Sequence, residues 1–231
     1  MTLLDRIFKF LAVLLFAVCA SSLNGQFEIQ GQMGKRWLES QGNIHGSERS
    51  LILATHGLYR VNTLLTLFVG PSFANDRFGS RDNCQQNACF SADHYKVGID
   101  FGTEFEFPLV SIILQVRTIA YGWGRESVWG KTALNFPPPG PLTVFQGGTQ
   151  QGEFLMRTRG IDFSGALKWH LVKDLSLLVS FEFASEKIRV DQAKFEVSTQ
   201  RGDSLALSSS LHTDWIRSPS SALFAGLSYT L

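Results

Sequence analysis

Hydrophobic and polar residues alternate along most of this chain, and the alternation is most regular from Tyr95 to Phe107. One parity holds Tyr95, Val97, Ile99, Phe101, Thr103, Phe105 and Phe107, and the other holds Lys96, Gly98, Asp100, Gly102, Glu104 and Glu106. Because successive side chains of a β-strand point to opposite faces, this segment predicts a strand with one apolar and one polar face. Its length of about 13 residues exceeds that of most soluble strands and suits a tilted strand that crosses a membrane.

Seven further segments show the same alternation. Their predicted bounds are Gln26 to Leu38, Ser50 to Tyr59, Asn62 to Ala74, Leu109 to Arg125, Glu153 to His170, Leu175 to Val190 and Ser221 to Leu231. Eight strands, an even number, predict an all-β fold: a transmembrane antiparallel up-and-down β-barrel. Ten strands is the alternative, because Lys194 to Ser198 and Ser204 to Leu211 either lengthen the barrel strands or form one more hairpin.

The segments between these strands alternate in length. Short connections fall near Arg60, at Pro108 and around Lys173. The long ones are Glu39 to Arg49, Asn75 to Asp93, Glu126 to Gly152 and Asp191 to Ser220. Short turns at one end and long loops at the other are typical of outer-membrane barrels, so this spacing supports the barrel independently of the strand pattern.

The first 25 residues predict a secretory signal peptide, because Arg6 and Lys9 precede an apolar run from Phe10 to Ala20. We therefore expect residues 1–25 to be removed and residues 26–231 to form one barrel domain. The sequence holds 21 basic and 20 acidic residues without a basic stripe. This balance gives no support to nucleic-acid binding.

The polar parity of the strands predicts the lining of the barrel interior, or lumen. The charged residues expected there are Glu28, Lys96, Asp100, Glu104, Glu106, Arg117, Asp162, Lys168, Glu182 and Glu186, and Arg36, His56 and His170 share their parity. An eight-stranded barrel is just wide enough for its own side chains to fill. Because unpaired buried charges are costly, we expect these residues to pair as a charge network. A narrow channel is the alternative, and its excess of acid would favour cations.

Removing the leader leaves two cysteines, Cys84 and Cys89, in a polar segment. A secreted protein folds in an oxidising compartment, so this spacing favours a disulfide that closes a small loop. Zinc would need further ligands, and His94 is the only candidate nearby. We therefore expect no metal and no cofactor.

The last nine residues, LFAGLSYTL, end in Leu231 with Tyr229 two positions before it. This ending resembles the C-terminal strand by which the barrel-assembly machinery recognises outer-membrane proteins, although Phe is the commoner last residue. Leader, strands, loops and final strand together resemble the small barrels typified by the OmpA transmembrane domain, OmpX and OmpW. The resemblance implies the outer membrane of a Gram-negative bacterium, with its lipid and lipopolysaccharide as surroundings. The leader's end, Asn24-Gly25-Gln26, also resembles leaders of Bacteroidota.

The resemblance carries over no catalytic residue. Some small barrels modify lipid A with Ser, His and a carboxylate, and the one compact set of that kind is His45-Gly46-Ser47-Glu48, in a segment predicted as a loop. A Pro-rich stretch, Phe136 to Pro141, lies in another long loop. We expect a non-enzymatic protein whose extracellular loops bind another outer-membrane protein or a surface ligand. A passive channel and a lipid A-modifying enzyme are the alternatives.

Overall fold

The structure is a computed structural model that describes residues 26–40, 43–79, 84–85, 88–130, 149–198, 204–210 and 213–231. Strands account for most of these residues: β1 Gln26–Ser40, β2 Asn43–Arg60, β3 Leu65–Phe78, β4 Cys84–Gln85, β5 Ala88–Glu106, β6 Val110–Gly130, β7 Thr149–Val172, β8 Leu175–Ser198, β9 Ser204–Ser209 and β10 Ile216–Thr230. No helix within these ranges is long and apolar enough to cross a membrane. The predicted signal peptide and the Pro-rich stretch lie outside the described residues.

Eight of the described strands close into a ring. Each long strand pairs antiparallel with the next, from β1 through β2, β3, β5, β6 and β7 to β8. β10 pairs with β8 on one side and with β1 on the other, which leaves no open edge at this level. This closure confirms the predicted eight-stranded up-and-down barrel.

The outward face of the ring is apolar and the inward face is polar. On β7 the outward Phe163 is 52% exposed and its inward neighbour Asp162 is 1% exposed. On β8 the outward Phe183 is 60% exposed and the inward Glu182 is 2% exposed. A wall with this polarity is stable only where lipid replaces water outside, so the ring spans a membrane.

The short connections lie at one end of the ring, together with the first and the last described residues, Gln26 and Leu231. In the turn between β2 and β3 the side-chain oxygen of Asn62 accepts hydrogen bonds from the backbone N–H groups of Leu64 and Leu65, at 2.8 and 2.9 Å. The N–H of Leu231 donates to the backbone oxygen of Phe27 at 2.7 Å. By the architecture of such barrels this is the periplasmic end.

At the opposite end the strands continue where the sequence predicts loops. β1 reaches Ser40 and β2 begins at Asn43, so most of the expected Glu39 to Arg49 loop is strand. β7 and β8 have 24 residues each, more than twice the nine to eleven or so that cross a bilayer. The sequence does not predict these extensions, because both of their faces meet water above the membrane and carry polar residues. They therefore lack the alternation of apolar and polar residues that identifies the membrane-spanning parts.

The additional strands β4 and β9 lie outside the closed ring. β9 pairs with the far end of β8, from Ala193 to Ser198. This is the additional hairpin of the ten-strand alternative, but it lies above the ring and does not widen the barrel. β4 pairs with the start of β5 and places the backbone of Cys84 directly opposite that of Cys89.

A bulge in β6 changes the expected direction of two aromatic side chains. The pairing of β6 with β7 shifts between Ile119 and Gly122, so the parity reverses. The sequence pattern places Tyr121 and Trp123 in the lumen, but Tyr121 is exposed on the outer wall and Trp123 stacks on Tyr95, with ring centroids 5.4 Å apart. These aromatic residues lie at the upper limit of the apolar band, where barrels carry an aromatic girdle.

Candidate functional site

The lumen contains more buried acids than buried bases. Among the described residues, the buried carboxylates are Glu28, Asp76, Asp100, Glu104, Asp162, Glu182 and Glu186, and the buried cations are Arg36, Lys96, Arg117 and Lys168. Each is at most 4% exposed. Charges so far from water require partners at close range, and those partners determine whether the lumen can conduct.

Asp100 and Arg117 form the centre of this network. The guanidinium of Arg117 donates through Nε to Asp100 at 2.9 Å and through Nη1 to Glu182 at 2.9 Å. Asp100 also accepts hydrogen bonds from Ser72 at 2.7 Å and Gln115 at 2.7 Å. His56 Nε2 lies 3.2 Å from the same carboxylate. Side chains from three strands, β2, β3 and β6, therefore converge on Asp100 of β5.

A second group lies nearer the long connections. Arg36 contacts Asp76 at 3.0 Å, forms an ion pair with Glu182 and lies 3.7 Å from Glu186. Lys96 contacts Asp76 at 2.9 Å and forms an ion pair with Glu186. Because Arg36 and Arg117 share Glu182, the two groups form one continuous network across the lumen.

A third group lies near the periplasmic turns. Lys168 forms an ion pair with Glu28 and another, at 3.1 Å, with Glu104. Gln30 donates to Glu28. Lys168 thus bridges strands that are not neighbours in the ring, which ties β7 to β1 and β5 through the interior.

Two of the charged residues expected in the lumen differ from the rest. Glu106 lies at the periplasmic rim, where its side chain is 24% exposed and pairs with the still more exposed Arg60. It belongs to the rim because it is the last residue of β5. Asp162 is fully enclosed, but its closest cation is Arg117 at 3.9 Å and neither of its oxygens accepts a hydrogen bond.

Asp76 is a member of the network that the sequence pattern does not predict. It falls two positions beyond the predicted end of β3, in a segment that the sequence predicts as a loop. Ala74, Asp76 and Phe78 are all buried on the inner face, so an extension of the predicted strand by two residues would include Asp76.

Apolar side chains close the spaces between the charged groups. Phe68, Ile113 and Leu178 pack together on the inner face, and Ile52, Ala74, Ala222 and Phe224 form a second cluster. The inner void beside Arg117 and Glu182 has a volume of about 10 Å³, room for about one water molecule. The lumen is therefore filled over this region.

The compact His-Ser-Glu set is on a strand, because β2 begins at Asn43. The hydroxyl of Ser47 is buried, accepts a hydrogen bond from the N–H of Arg36 at 2.8 Å and lies 3.0 Å from the hydroxyl of Ser50. Glu48 is exposed on the outer side. Ser47 and Glu48 thus point to opposite faces of the wall, which separates two groups that a hydrolase would need together. No cluster of metal-ligating side chains occurs among the described residues.

The C-terminal strand has the placement that an assembly signal requires. Tyr229 and Leu231 are exposed on the outer wall, 46% and 66% respectively, at the periplasmic end. β10 is also the strand whose pairing with β1 closes the ring. Recognition of these two residues by the barrel-assembly machinery stays a prediction.

The comparisons with known proteins concern the fold. Ail of Yersinia pestis is similar over 90% of this chain and 100% of its own, with 12% identity and a TM-score of 0.50. The chain has the fold of the small outer-membrane β-barrels. Neisserial surface protein A is similar over 89% of this chain and 99% of its own, with 11% identity and a TM-score of 0.49. No family model and no curated protein matches the sequence.

This fold agrees with the sequence resemblance to OmpX-like barrels, and together with the apolar outer wall it places the protein in an outer membrane, in contact with its lipid. The resemblance of the leader to Bacteroidota receives no support from these neighbours. At this identity the neighbours say nothing about activity, which has to be argued from the chain itself.

Proposed function

We propose that this protein is a non-enzymatic outer-membrane barrel whose strand extensions above the membrane dock another outer-membrane protein or a surface ligand. The observation that carries the proposal is the filled lumen, with a void of about 10 Å³ beside the central ion pairs. A passage for solutes would need a continuous water-filled path. The excess of carboxylates alone favours the alternative of a cation channel, but their side chains occupy the space that ions would use.

The extensions supply a surface suited to docking. β5, β6, β7, β8 and β9 continue beyond the ring as an open sheet. In the described part of the chain β9 pairs only with β8, so its other edge has unpaired backbone groups. Unpaired strand edges are templates for β-strand addition by a partner.

The compact His-Ser-Glu set does not bring its hydroxyl and its carboxylate to the same face of the wall. Ser47 is inside the wall and Glu48 is outside. The candidate set from the sequence therefore supports a structural role for Ser47, as a hydrogen-bond partner of Arg36 and Ser50, over a catalytic one.

Site-specific photo-crosslinking in living cells tests the docking role. A photoreactive amino acid replaces Lys194 or Glu196, which are exposed on the far part of β8, and in matched controls it replaces Leu171 or Lys173 at the periplasmic end. We expect discrete crosslinked products from the β8 positions, identified by mass spectrometry as the same partner in both. Crosslinks only from the periplasmic positions, or none at all, would contradict the proposal.

A further inference from the structure

On the side formed by β7, β8 and β10, the outer wall carries two rows of cations just above the apolar band. The lower row crosses three strands, because Lys187 on β8 is paired directly with Arg159 on β7 and with Arg217 on β10. In the upper row Arg157 is paired directly with Arg189. We call these five residues the cationic rows. Like charges directly opposite each other in a sheet repel, so this arrangement opposes its own strand pairing.

The upper row has an internal counter-ion and the lower row has none. Asp191 accepts hydrogen bonds from Nε of Arg157 and from Nε of Arg189, both at 2.9 Å. Arg159, Lys187 and Arg217 are all exposed, and none makes an ion pair with a described residue. The guanidinium of Arg159 lies instead over the ring of Trp215, 4.1 Å from its centroid. The lower row therefore has its full positive charge available for an external anion.

The depth of the lower row indicates where that anion would be. On β7, Arg159 lies two residues above the lipid-facing Ile161. On β8, Lys187 lies four residues above the lipid-facing Phe183. Trp215 lies beside the row, as aromatic residues do at a membrane interface. Because the long connections mark the extracellular end, this level is that of the headgroups in the outer leaflet.

We propose that the lower cationic row binds the phosphate of a phosphoglycolipid headgroup in the outer leaflet. A phosphate group offers several acceptor oxygens, and two guanidinium groups and an ammonium can donate to them with strong, charge-assisted hydrogen bonds. The acyl chains of the same lipid then lie along Ile161, Phe163 and Phe183 below. Bound lipid neutralises the repulsion within the row. This inference does not depend on the docking role of the extensions.

The test compares two triple variants of the full mature protein. Arg159→Gln/Lys187→Gln/Arg217→Gln removes the lower row. The matched control Arg49→Gln/Arg77→Gln/Arg125→Gln removes the same charge from exposed positions at the extracellular end of β2, β3 and β6. Arg77 and Arg125 each have an acidic neighbour, Glu48 at 3.9 Å and Glu153 respectively. Heat-modifiable gel migration verifies that both variants form the barrel.

The probe is bisphosphorylated lipid A added to detergent-solubilised protein, and native mass spectrometry measures the fraction of protein that retains it. We expect the lower-row variant to need about tenfold more lipid A for half-occupancy, a loss of about 1.4 kcal/mol, and the control variant to match wild type. Dephosphorylated lipid A should bind wild type as weakly as bisphosphorylated lipid A binds the lower-row variant.

Three outcomes would overturn the proposal. One is equal retention of lipid A by wild type and the lower-row variant, and another is an equal loss in both triple variants. The third concerns the source of the phosphate: inorganic phosphate that displaces lipid A completely would show an ion site without lipid recognition. The lower-row variant can also be tested for crosslinking from the β8 positions. If it folds, loses lipid A and still crosslinks to the partner, lipid binding and docking are separate properties.

Discussion

At the scale of single residues, the buried carboxylates of the lumen differ in the hydrogen-bond donors that surround them. Asp100 receives hydrogen bonds from Ser72, Gln115 and Arg117, and it pairs with His56. Asp162 is equally buried but has only a guanidinium nitrogen at 3.9 Å. It is paired with Ala184, which places it diagonally between Glu182 and Glu186. One buried charge is thus stabilised by its environment and the other is not.

Asp100→Asn and Asp162→Asn should therefore have different effects on stability. Asp100→Asn removes the charge that holds Arg117 and should lower the free energy of unfolding by about 3–5 kcal/mol. Asp162→Asn removes repulsion and adds an amide donor, so stability should stay the same or rise by about 1 kcal/mol. Urea unfolding in detergent micelles, followed by gel mobility, measures both. Equal losses in the two variants would show that Asp162 is stabilised as well as Asp100.

The alternation largely predicted which charged residues line the lumen, but it did not predict which of them form ion pairs with each other. Nine of the ten predicted charged residues are buried on the inner face and only Glu106 lies at the rim. Lys168 and Glu28 are 140 positions apart, and no local pattern connects residues at that separation. Their contact depends on the tilt and stagger of the closed ring, which only the complete fold determines.

At the scale of elements, close approach between neighbouring strands explains one glycine of β3. A Cβ added to Gly70 would lie 1.8 Å from the backbone oxygen of Thr55 on β2. Gly165 on β7 is different, because a Cβ added there meets nothing within 4 Å. Both glycines interrupt the alternation in the sequence, which does not reveal that only one is sterically required.

Gly70→Ala should destabilise the barrel, and Gly165→Ala is its control. Gly70→Ala forces β2 and β3 apart and should lower the free energy of unfolding by about 1–3 kcal/mol. Gly165→Ala should leave the free energy of unfolding unchanged or raise it by up to about 1 kcal/mol. Thermal unfolding in detergent, monitored by the gel-mobility shift, compares the two. A Gly70→Ala barrel as stable as wild type would contradict the close spacing of β2 and β3 at this position.

The hairpin of β4 and β5 favours the disulfide predicted from the sequence. Directly opposite residues of an antiparallel pair have Cα atoms about 4.5–5.5 Å apart, within the range of a disulfide. Cys84 and Cys89 should therefore resist alkylation by iodoacetamide until a reductant is added. Protein purified from outer membranes gives the measurement, with mass spectrometry to count modified thiols. Two thiols that react without reductant would exclude the bridge.

The ends and irregularities of strands were the least predictable elements. The bulge between Ile119 and Gly122 turns Tyr121 outward, although the preceding parity places it inside. Above the membrane both faces of β7 and β8 meet water, so alternation no longer identifies a strand. The apolar band is predictable because lipid imposes a pattern on it, and the extensions lack that constraint.

At the scale of the whole molecule, a closed ring encloses a charge network with little free space beside Arg117 and Glu182, and it supports an open sheet above it. The ion pairs join strands up to three positions apart around the ring, so the network occupies the lumen and ties the wall of the barrel together. The cationic rows and the edge of β9 that pairs with no described strand lie on or above the wall, outside the lumen. The chemistry available to partners is thus concentrated at and above the extracellular surface.

Electrical recording across planar lipid bilayers tests the filled lumen most directly. The purified protein is inserted into a bilayer, and insertion is verified independently by its protection from protease, with a general porin as the positive control. We predict no conductance steps above the background of the bare membrane. Reproducible cation-selective steps that shrink in a Glu182→Gln/Glu186→Gln variant would contradict the account, because they would show ions passing through the charge network that is proposed to close the barrel.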